Sequence, residues 1–295
     1  MSRTGGRLVS IGLPTYNRVR SFEQALNSAR AQDYEPLEIV ISDNASTDGT
    51  GAFCEDVAAT DSRIRYIRQS SNRGSTANFR AVLAEARGEF FMWLGDDDWM
   101  DPTYVSQCMS ILGTDPSYSI VSGSDRYYVG GKFNRDGVRL SLEEHAREDR
   151  VVRYFRQVTM NGVFYGLMRR DALSTVPIEH MLGADWFMIA AMAFLGKIKM
   201  LEDVYINRSA EGLSSDFSTL TSKFPLSGFQ RANPFLTIAM SAFADVAWRS
   251  PVYASMGKAR RIALAGQVFH AIVRRHYSPG HIPILVRQLL SLRSS

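Results

Sequence analysis

The apolar runs at residues 7–14 (RLVSIGLP), 36–43 (PLEIVISD) and 89–95 (EFFMWLG) do not alternate between apolar and polar positions. A strand that is apolar on both faces must be covered on both faces. Helical patterns stand between these runs. SFEQALNSARAQ (21–32) opens on a serine suited to capping, STDGTGAFCEDVAAT (46–60) offers capping residues before a short helix, and STANFRAVLAEARG (75–88) ends on a glycine. RIRYIRQ (63–69) alternates with period two and reads as a strand with one wet face, and YSIVSG (118–123) reads as a fifth strand. Alternating strands and helices of this kind imply an α/β fold with a mostly parallel sheet flanked by helices.

Ligands of such sheets bind beyond the carboxyl ends of the strands. Polar clusters stand at three of those ends: PTYNR after the first strand, DNASTDG after the second and GDDD after the fourth. The last cluster sets a physical problem, because Asp96, Asp97 and Asp98 follow a buried run and precede Trp99. Adjacent carboxylates repel, and apolar neighbours desolvate them. A hard divalent cation answers this: Mg²⁺ takes one or two carboxylates and fills its remaining positions with phosphate and water. A solvated turn, with Asp98 or Asp101 capping a helix near Pro102, is the competing explanation. An acid or amide ending the second strand can hydrogen-bond a base or ribose, which leaves Asp43 and Asn44 for a ligand and Ser46 to Gly49 for a capping turn. A dinucleotide-binding turn is ruled out, because GLPTYNR has one glycine.

Composition bears on location and partners. Two cysteines, Cys54 and Cys108, imply neither a disulfide framework nor a cysteine metal site. No apolar run approaches the roughly 18 residues of a bilayer span, and the N-terminus does not read as a signal peptide. A cytoplasmic location is the expectation. The net charge of +4 is uneven: residues 251–295 contain no acid and carry +7, which leaves −3 for the first 250. The basic sign therefore belongs to the tail, and nucleic-acid binding by the body is not expected. MGKARRIALAGQVFHAIVRRHY (256–277) and HIPILVRQLLSLRSS (281–295) mix apolar and basic residues as amphipathic helices do. They suit either peripheral contact with an anionic membrane surface or packing against the body with a solvated basic face, and both readings stay open. His270, His276 and His281 show no metal-ligand spacing.

The segments VSIGLPTYNR, LEIVISDNASTDGT, NRGSTANFRAVLAEARGEFFMWLGDDDWMDP and GADWFMIAAMAFLGKIKMLEDVYINRS occur in that order. Together they resemble the inverting family-2 glycosyltransferases of the GT-A (Rossmann-like) fold, over about residues 9–215. The resemblance implies a nucleotide-sugar-binding and catalytic domain at 1–215, followed by a basic helical extension at 216–295. It implies nucleotide contacts from Thr15, Tyr16, Asp43 and Asn44, with Asn78 as a further contact, and Asp96 on the ribose. It also implies a divalent metal, Mn²⁺ or Mg²⁺, on Asp97 with Asp98 beside it, and a catalytic base at Asp185. Gly95 departs from the family pattern by standing where a first acid is common, and Asn44 by replacing a second acid. The implied activity is metal-dependent, inverting sugar transfer from a nucleoside-diphosphate donor to a glycan, lipid-linked or small-molecule hydroxyl, in the synthesis of a polysaccharide or other glycoconjugate. An inactive nucleotide-sugar-binding scaffold is the alternative. A sugar nucleotidyltransferase is disfavoured because no glycine-rich, basic triphosphate loop stands near the N-terminus.

Overall fold

The computed structural model describes residues 6–159, 161–210, 221, 222 and 224–277. Its nine-stranded mixed sheet begins with the expected parallel strands. β1 (Val9–Thr15) lies between β2 (Leu37–Asp43) and β4 (Phe90–Trp93), and β3 (Ile64–Arg68) flanks β2. The helices between them are α1 (Val19–Arg30), α2 (Thr50–Thr60) and α3 (Ser75–Glu85). α1 starts before the expected capping serine. Its first N–H groups are met from the next loop, Arg18 N–H donating to Thr50 Oγ1 (3.2 Å) and Val19 N–H to Asp48 Oδ2 (3.4 Å).

Beyond β4 the sheet stops being parallel. The short strand β8 (Leu167–Arg169) runs antiparallel between β4 and β6 (Tyr118–Val129). β6 then pairs in parallel with β9 (Lys197–Ser209), whose far end pairs antiparallel with β5 (Trp99–Met100). β6 continues as a hairpin into β7 (Lys132–Asp136), turned at Gly130 and Gly131 with φ of 56° and 75°. Two successive positive φ angles suit glycine and the twist of a hairpin.

Side chains of β4 show why its run is unbroken. Phe91 and Trp93 enter the core on one face, while Phe90 and Met92 enter a second core on the other. The second core is closed by α1, α2 and α4 (Tyr104–Leu112). The first is closed by α3, α5 (Arg147–Gln157) and α7 (Ala184–Leu195); α6 (Arg170–Ser174) is a single turn after β8. The helices α8 (Gly228–Ala232), α9 (Pro234–Ala244) and α10 (Lys258–His276) follow. In α10, Leu264, Val268 and Ile272 are buried in the core that holds Val152 of α5 and Phe194 of α7. Of the two readings open for this helix, its apolar stripe takes packing against the body. The expected boundary at residue 215 and the segment 281–295 lie outside the described residues.

One side chain ties the ligand edge of the sheet together. Asn78, buried on α3, donates from Nδ2 to the carbonyls of Thr15 (3.1 Å) and Ser42 (3.0 Å) and accepts from Ser42 Oγ at 2.6 Å. These bonds hold the ends of β1 and β2 against the start of α3. Asn78→Ala would remove three buried hydrogen bonds at once, leaving the Thr15 carbonyl its bond from Asn44 N–H, and it is expected to cost about 2–3 kcal/mol in urea denaturation. A loss under about 0.5 kcal/mol would show that the edge holds without it.

Candidate active site

The site is built from loops at the carboxyl ends of β1, β2 and β4, the end of β9 and the start of α7. The first two loops are zipped together by Asn17, which takes a positive φ of 52°. Its N–H donates to Ser46 Oγ (2.9 Å), and its Oδ1 accepts from Thr47 N–H (2.7 Å). Thr15 ends β1, with its hydroxyl donating to Asp96 Oδ2 (3.2 Å), and Tyr16 stands at the rim 40% exposed.

Several expected nucleotide contacts are committed within the protein. Asp43 is fully buried; Oδ1 accepts from Ser46 N–H (2.8 Å), and Oδ2 accepts from Tyr66 Oη (3.0 Å) and Arg68 Nη1 (3.2 Å). Asn44 donates to Asn72 Oδ1 (2.9 Å) and the Gly74 carbonyl (3.3 Å) and accepts from Arg73 N–H (2.9 Å), which pins the loop before α3. Asn78 is equally engaged, in the tie already described. The Asn44 and Asn78 side chains, expected as ligand contacts, spend their donors and acceptors here on loop geometry.

The three aspartates resolve their repulsion by pointing to three environments. Asp96 lies against Thr15; burial, and then the charge of Asp97, pushes its carboxyl up to about 6. Asp97 is at the mouth, with Arg18 Nη1 at 3.5 Å from Oδ2. Asp98 turns inward and is 3% exposed; Oδ1 accepts from Ser209 N–H (3.1 Å) and Oδ2 lies 3.7 Å from Arg208 Nε. Burial pushes Asp98 up to about 7 against the pull of Arg208. Gly95 makes room for this fold-back, because a Cβ there would stand 2.8 Å from Asp98 Oδ2. Asp98, expected beside Asp97 as a metal ligand, is turned inward here onto Arg208 and Ser209, and neither it nor Asp101 caps α4 with its side chain. Among the described residues, no three His, Cys, Asp or Glu side chains converge on one point as a metal cage. Part-exposed Asp97, paired with Arg18, and Asp96 against Thr15 are two acids that suit a cation held mainly by phosphate and water.

Asp185 lies at the start of α7, after Gly183 in the left-handed conformation (φ 81°). It lines a cavity of about 390 Å³ walled by Phe79, Trp93, Phe164, Tyr165 and Trp186. Trp93 and Phe164 stack with centroids 5.1 Å apart and planes 13° from parallel. Burial raises the Asp185 carboxyl above its ordinary value, opposed first by a hydrogen bond to Oδ2 from Asn161 Nδ2 (3.0 Å). Behind it, Trp186 meets the C-terminal helices, where Phe235 and His276 stack at 3.6 Å and burial pushes His276 down to about 4.

Arg208 connects the two halves of the site. It lines the cavity, approaches Asp98, donates to Tyr127 Oη (2.9 Å) and lies 4.7 Å from the Tyr165 ring centroid. Arg208, Tyr165 and Asn161 were not picked out by sequence reasoning; the signal for Arg208 was a lone cation ending the strand VYINR. Nearby Asp125 is 1% exposed, and neither carboxylate oxygen has a hydrogen-bond partner among the described residues. Its Oδ2 occupies the space over Gly162, 1.6 Å from where a Cβ would stand.

Comparison with known proteins fits this geometry. The profile described as "Glycosyl transferase family 2" matches residues 10–176. The uncharacterized protein Rv1520 of Mycobacterium tuberculosis is 32% identical over 224 residues, covering 73% of this chain and 63% of that protein. The GalNAc(5)-diNAcBac-PP-undecaprenol beta-1,3-glucosyltransferase of Campylobacter jejuni is 28% identical over 166 residues, covering 56% of this chain and 52% of its own length. The chain therefore spans less than two thirds of these relatives. Among solved structures, S. aureus TarS 1-349 in complex with UDP-GlcNAc shares the fold at a TM-score of 0.64 and 18% identity, over 92% of this chain and 74% of that one. The mannosyltransferase PcManGT from Pyrobaculum calidifontis, in complex with GDP-Man and Mn²⁺, does so at 0.58 and 18%, over 98% and 81%.

Asp125 allows a test of the electrostatics. Burial, opposed by Arg208, pushes its carboxyl up to about 6, so ionising it disfavours folding. Its contribution to stability is present at low pH and is lost as pH rises through that value. Asp125→Asn does not titrate. Its stability relative to the parent is expected to rise by on the order of 2–3 kcal/mol between about pH 4 and about pH 7.5 in urea denaturation. A difference independent of pH would show that Asp125 ionises freely.

Proposed function

The chain belongs to glycosyl transferase family 2, and from that premise we propose that it transfers a sugar from a nucleoside-diphosphate donor to an acceptor hydroxyl, inverting the anomeric carbon, with Asp185 as general base. The observation that carries the reading is Asp185 itself: a carboxylate of raised proton affinity, held by Asn161 in an aromatic-walled cavity that Arg208 joins to the aspartate loop.

A hydroxyl is a weak nucleophile, and a positioned carboxylate that takes its proton as the bond forms supplies the missing reactivity. Burial makes Asp185 a better base than a solvated aspartate. Aromatic rings suit the apolar faces of sugars, and Phe164, Tyr165 and Trp186 line the cavity beside the base. At the other end, half-open Tyr16 is placed to stack on a nucleotide base, while Thr15 orients Asp96 for the ribose. Asp43 and Asn44 act through the loops they hold. Asp97, with Asp96 beside it, would hold a divalent cation, Mn²⁺ or Mg²⁺, which when bound neutralises charge on the departing diphosphate. Arg18 beside Asp97 and Arg208 in the cavity wall add cationic groups at the same end of the sheet.

The donor reading draws support from a fold that holds UDP-GlcNAc in one neighbour and GDP-Man with Mn²⁺ in another. The Campylobacter relative's name specifies a lipid-diphosphate-linked acceptor, so a glycan or lipid-linked acceptor in glycoconjugate or polysaccharide synthesis is the class proposed here. No helix among the described residues is long and apolar enough to cross a membrane. Access to a lipid-linked acceptor from the cytoplasmic face is part of this proposal.

Calorimetric titration with UDP, GDP, CDP and dTDP, each with Mn²⁺ and with EDTA, tests the donor site. One nucleotide is expected to bind only with metal, and Asp97→Ala to weaken that binding at least tenfold. Equal binding by Asp97→Ala would return the aspartate loop to a purely structural role. Asp185→Asn is expected to keep nucleotide affinity within about twofold and to slow transfer about a thousandfold. Transfer at the parent rate would remove Asp185 as the base.

A further inference from the structure

We propose that Tyr154 and Asn161 are positioning residues that fix the Asp185 carboxylate, reserving one oxygen for the acceptor hydroxyl. The inference rests on reading Asp185 as the base. Tyr154 is fully buried on α5, and its hydroxyl donates to Asn161 Oδ1 at 2.8 Å. Asn161, just before the 3-10 turn at Gly162–Tyr165, donates from Nδ2 to Asp185 Oδ2 at 3.0 Å.

Each bond in this chain dictates the next. Burial, with Asp185 nearby, holds the Tyr154 phenol well above its ordinary value, so it keeps its proton and stays a donor. A donor on that side calls for the amide oxygen there, which leaves the amide NH₂ facing Asp185. The reversed amide would set a carbonyl oxygen against a carboxylate oxygen, two acceptors in opposition. The NH₂ group holds Oδ2, and no side chain among the described residues donates to Oδ1. In the reaction Oδ1 would take the acceptor proton while the acceptor oxygen bonds to the anomeric carbon. The bond from that carbon to the diphosphate breaks, and its electron pair leaves with the phosphate oxygen. The Asn161 bond also favours the ionised carboxylate, offsetting the burial that would keep it protonated.

The charged and titratable groups around Asp185 are Tyr154 from α5, Arg208 from β9 and Glu179 from the connection before α7. His276 of α10 lies behind Trp186. Tyr165 of the 3-10 turn shares the cavity, and none of these side chains donates to Asp185; the backbone N–H groups of Asp185 and Trp186 also favour its ionised form, and Asn161 supplies the largest such contribution.

The test is a ¹³C NMR titration of aspartate carboxyl carbons in the full chain, with Asp185→Asn identifying the signal by its loss. Asn161→Ala is expected to raise the Asp185 midpoint by about one pH unit, a tenfold gain in proton affinity. Tyr154→Phe, which keeps the ring and frees the amide to turn, is expected to raise it by about half a pH unit, a threefold gain in proton affinity. In transfer assays the acid limb of kcat should move with the midpoint while KM for the donor stays put. If one variant fails to fold by circular dichroism, the other carries the test alone. Midpoints within about 0.2 unit of the parent, with Asp185→Asn inactive, would overturn the positioning chain and leave the base in place. Full transfer by Asp185→Asn would instead remove the base, and the chain's purpose with it.

Discussion

The ligand edge of this protein depends on how it holds Asp98 away from water. The carboxylate is almost wholly buried beside two others, and the protein answers with the Ser209 N–H, the Arg208 guanidinium and a glycine at 95 that leaves the space. A buried charge needs a paired partner, so the end of β9 is drawn to the end of β4. That contact brings Arg208 into the cavity wall, in reach of the Tyr127 hydroxyl and the Tyr165 ring. With Asp98 turned inward, Asp97 is left at the mouth and Asp96 against Thr15. Three adjacent acids thereby acquire three different environments.

The same economy appears in the amides. Asn78 and Asn44 stand where a ligand contact was expected, and each is saturated by backbone and side-chain partners that set loop shape. A buried amide with every group satisfied is a rigid tie, since releasing it exposes several unpaired groups at once. Asn161 is different: its two bonds run from a buried phenol to the carboxylate that faces the cavity. It sits in a turn that touches Asp125 on its other side. The C-terminal helices complete this support. They press Phe235 and His276 toward Trp186 and seal the core around α7, so the segment with the chain's basic excess also backs the proposed catalytic helix.

Much of this was legible in the sequence where a periodic signal and a chemical anomaly coincided. The unbroken run at Phe90 to Leu94 could only be a strand buried on both sides, and the acids after it could only be at an edge. The antiparallel half of the sheet was less legible, because β8 has three residues and β5 two. Strands that short carry no period, and their direction is decided by the partners between which they fit. The hairpin at Gly130 and Gly131 has a local mark in its paired glycines, but the short strand after them, KFNRD, carries no apolar run. Asp185 was found through the motif around it, whereas Asn161 and Tyr154 carry no local pattern.

By itself the sequence determined the α/β layering, the polar loops at the strand ends and the identity of the acids, because apolar periodicity and loop chemistry are properties of neighbouring residues. Only the tertiary structure decided which acid is buried and which faces out, which amides are ties, and where the C-terminal helix turns its apolar stripe. Those outcomes depend on partners far away in the chain: Arg208 lies more than a hundred residues from Asp98, and Leu264 meets a core begun at Val40. Burial, and with it charge and proton affinity, is set by what arrives from such distances, and no local pattern encodes it.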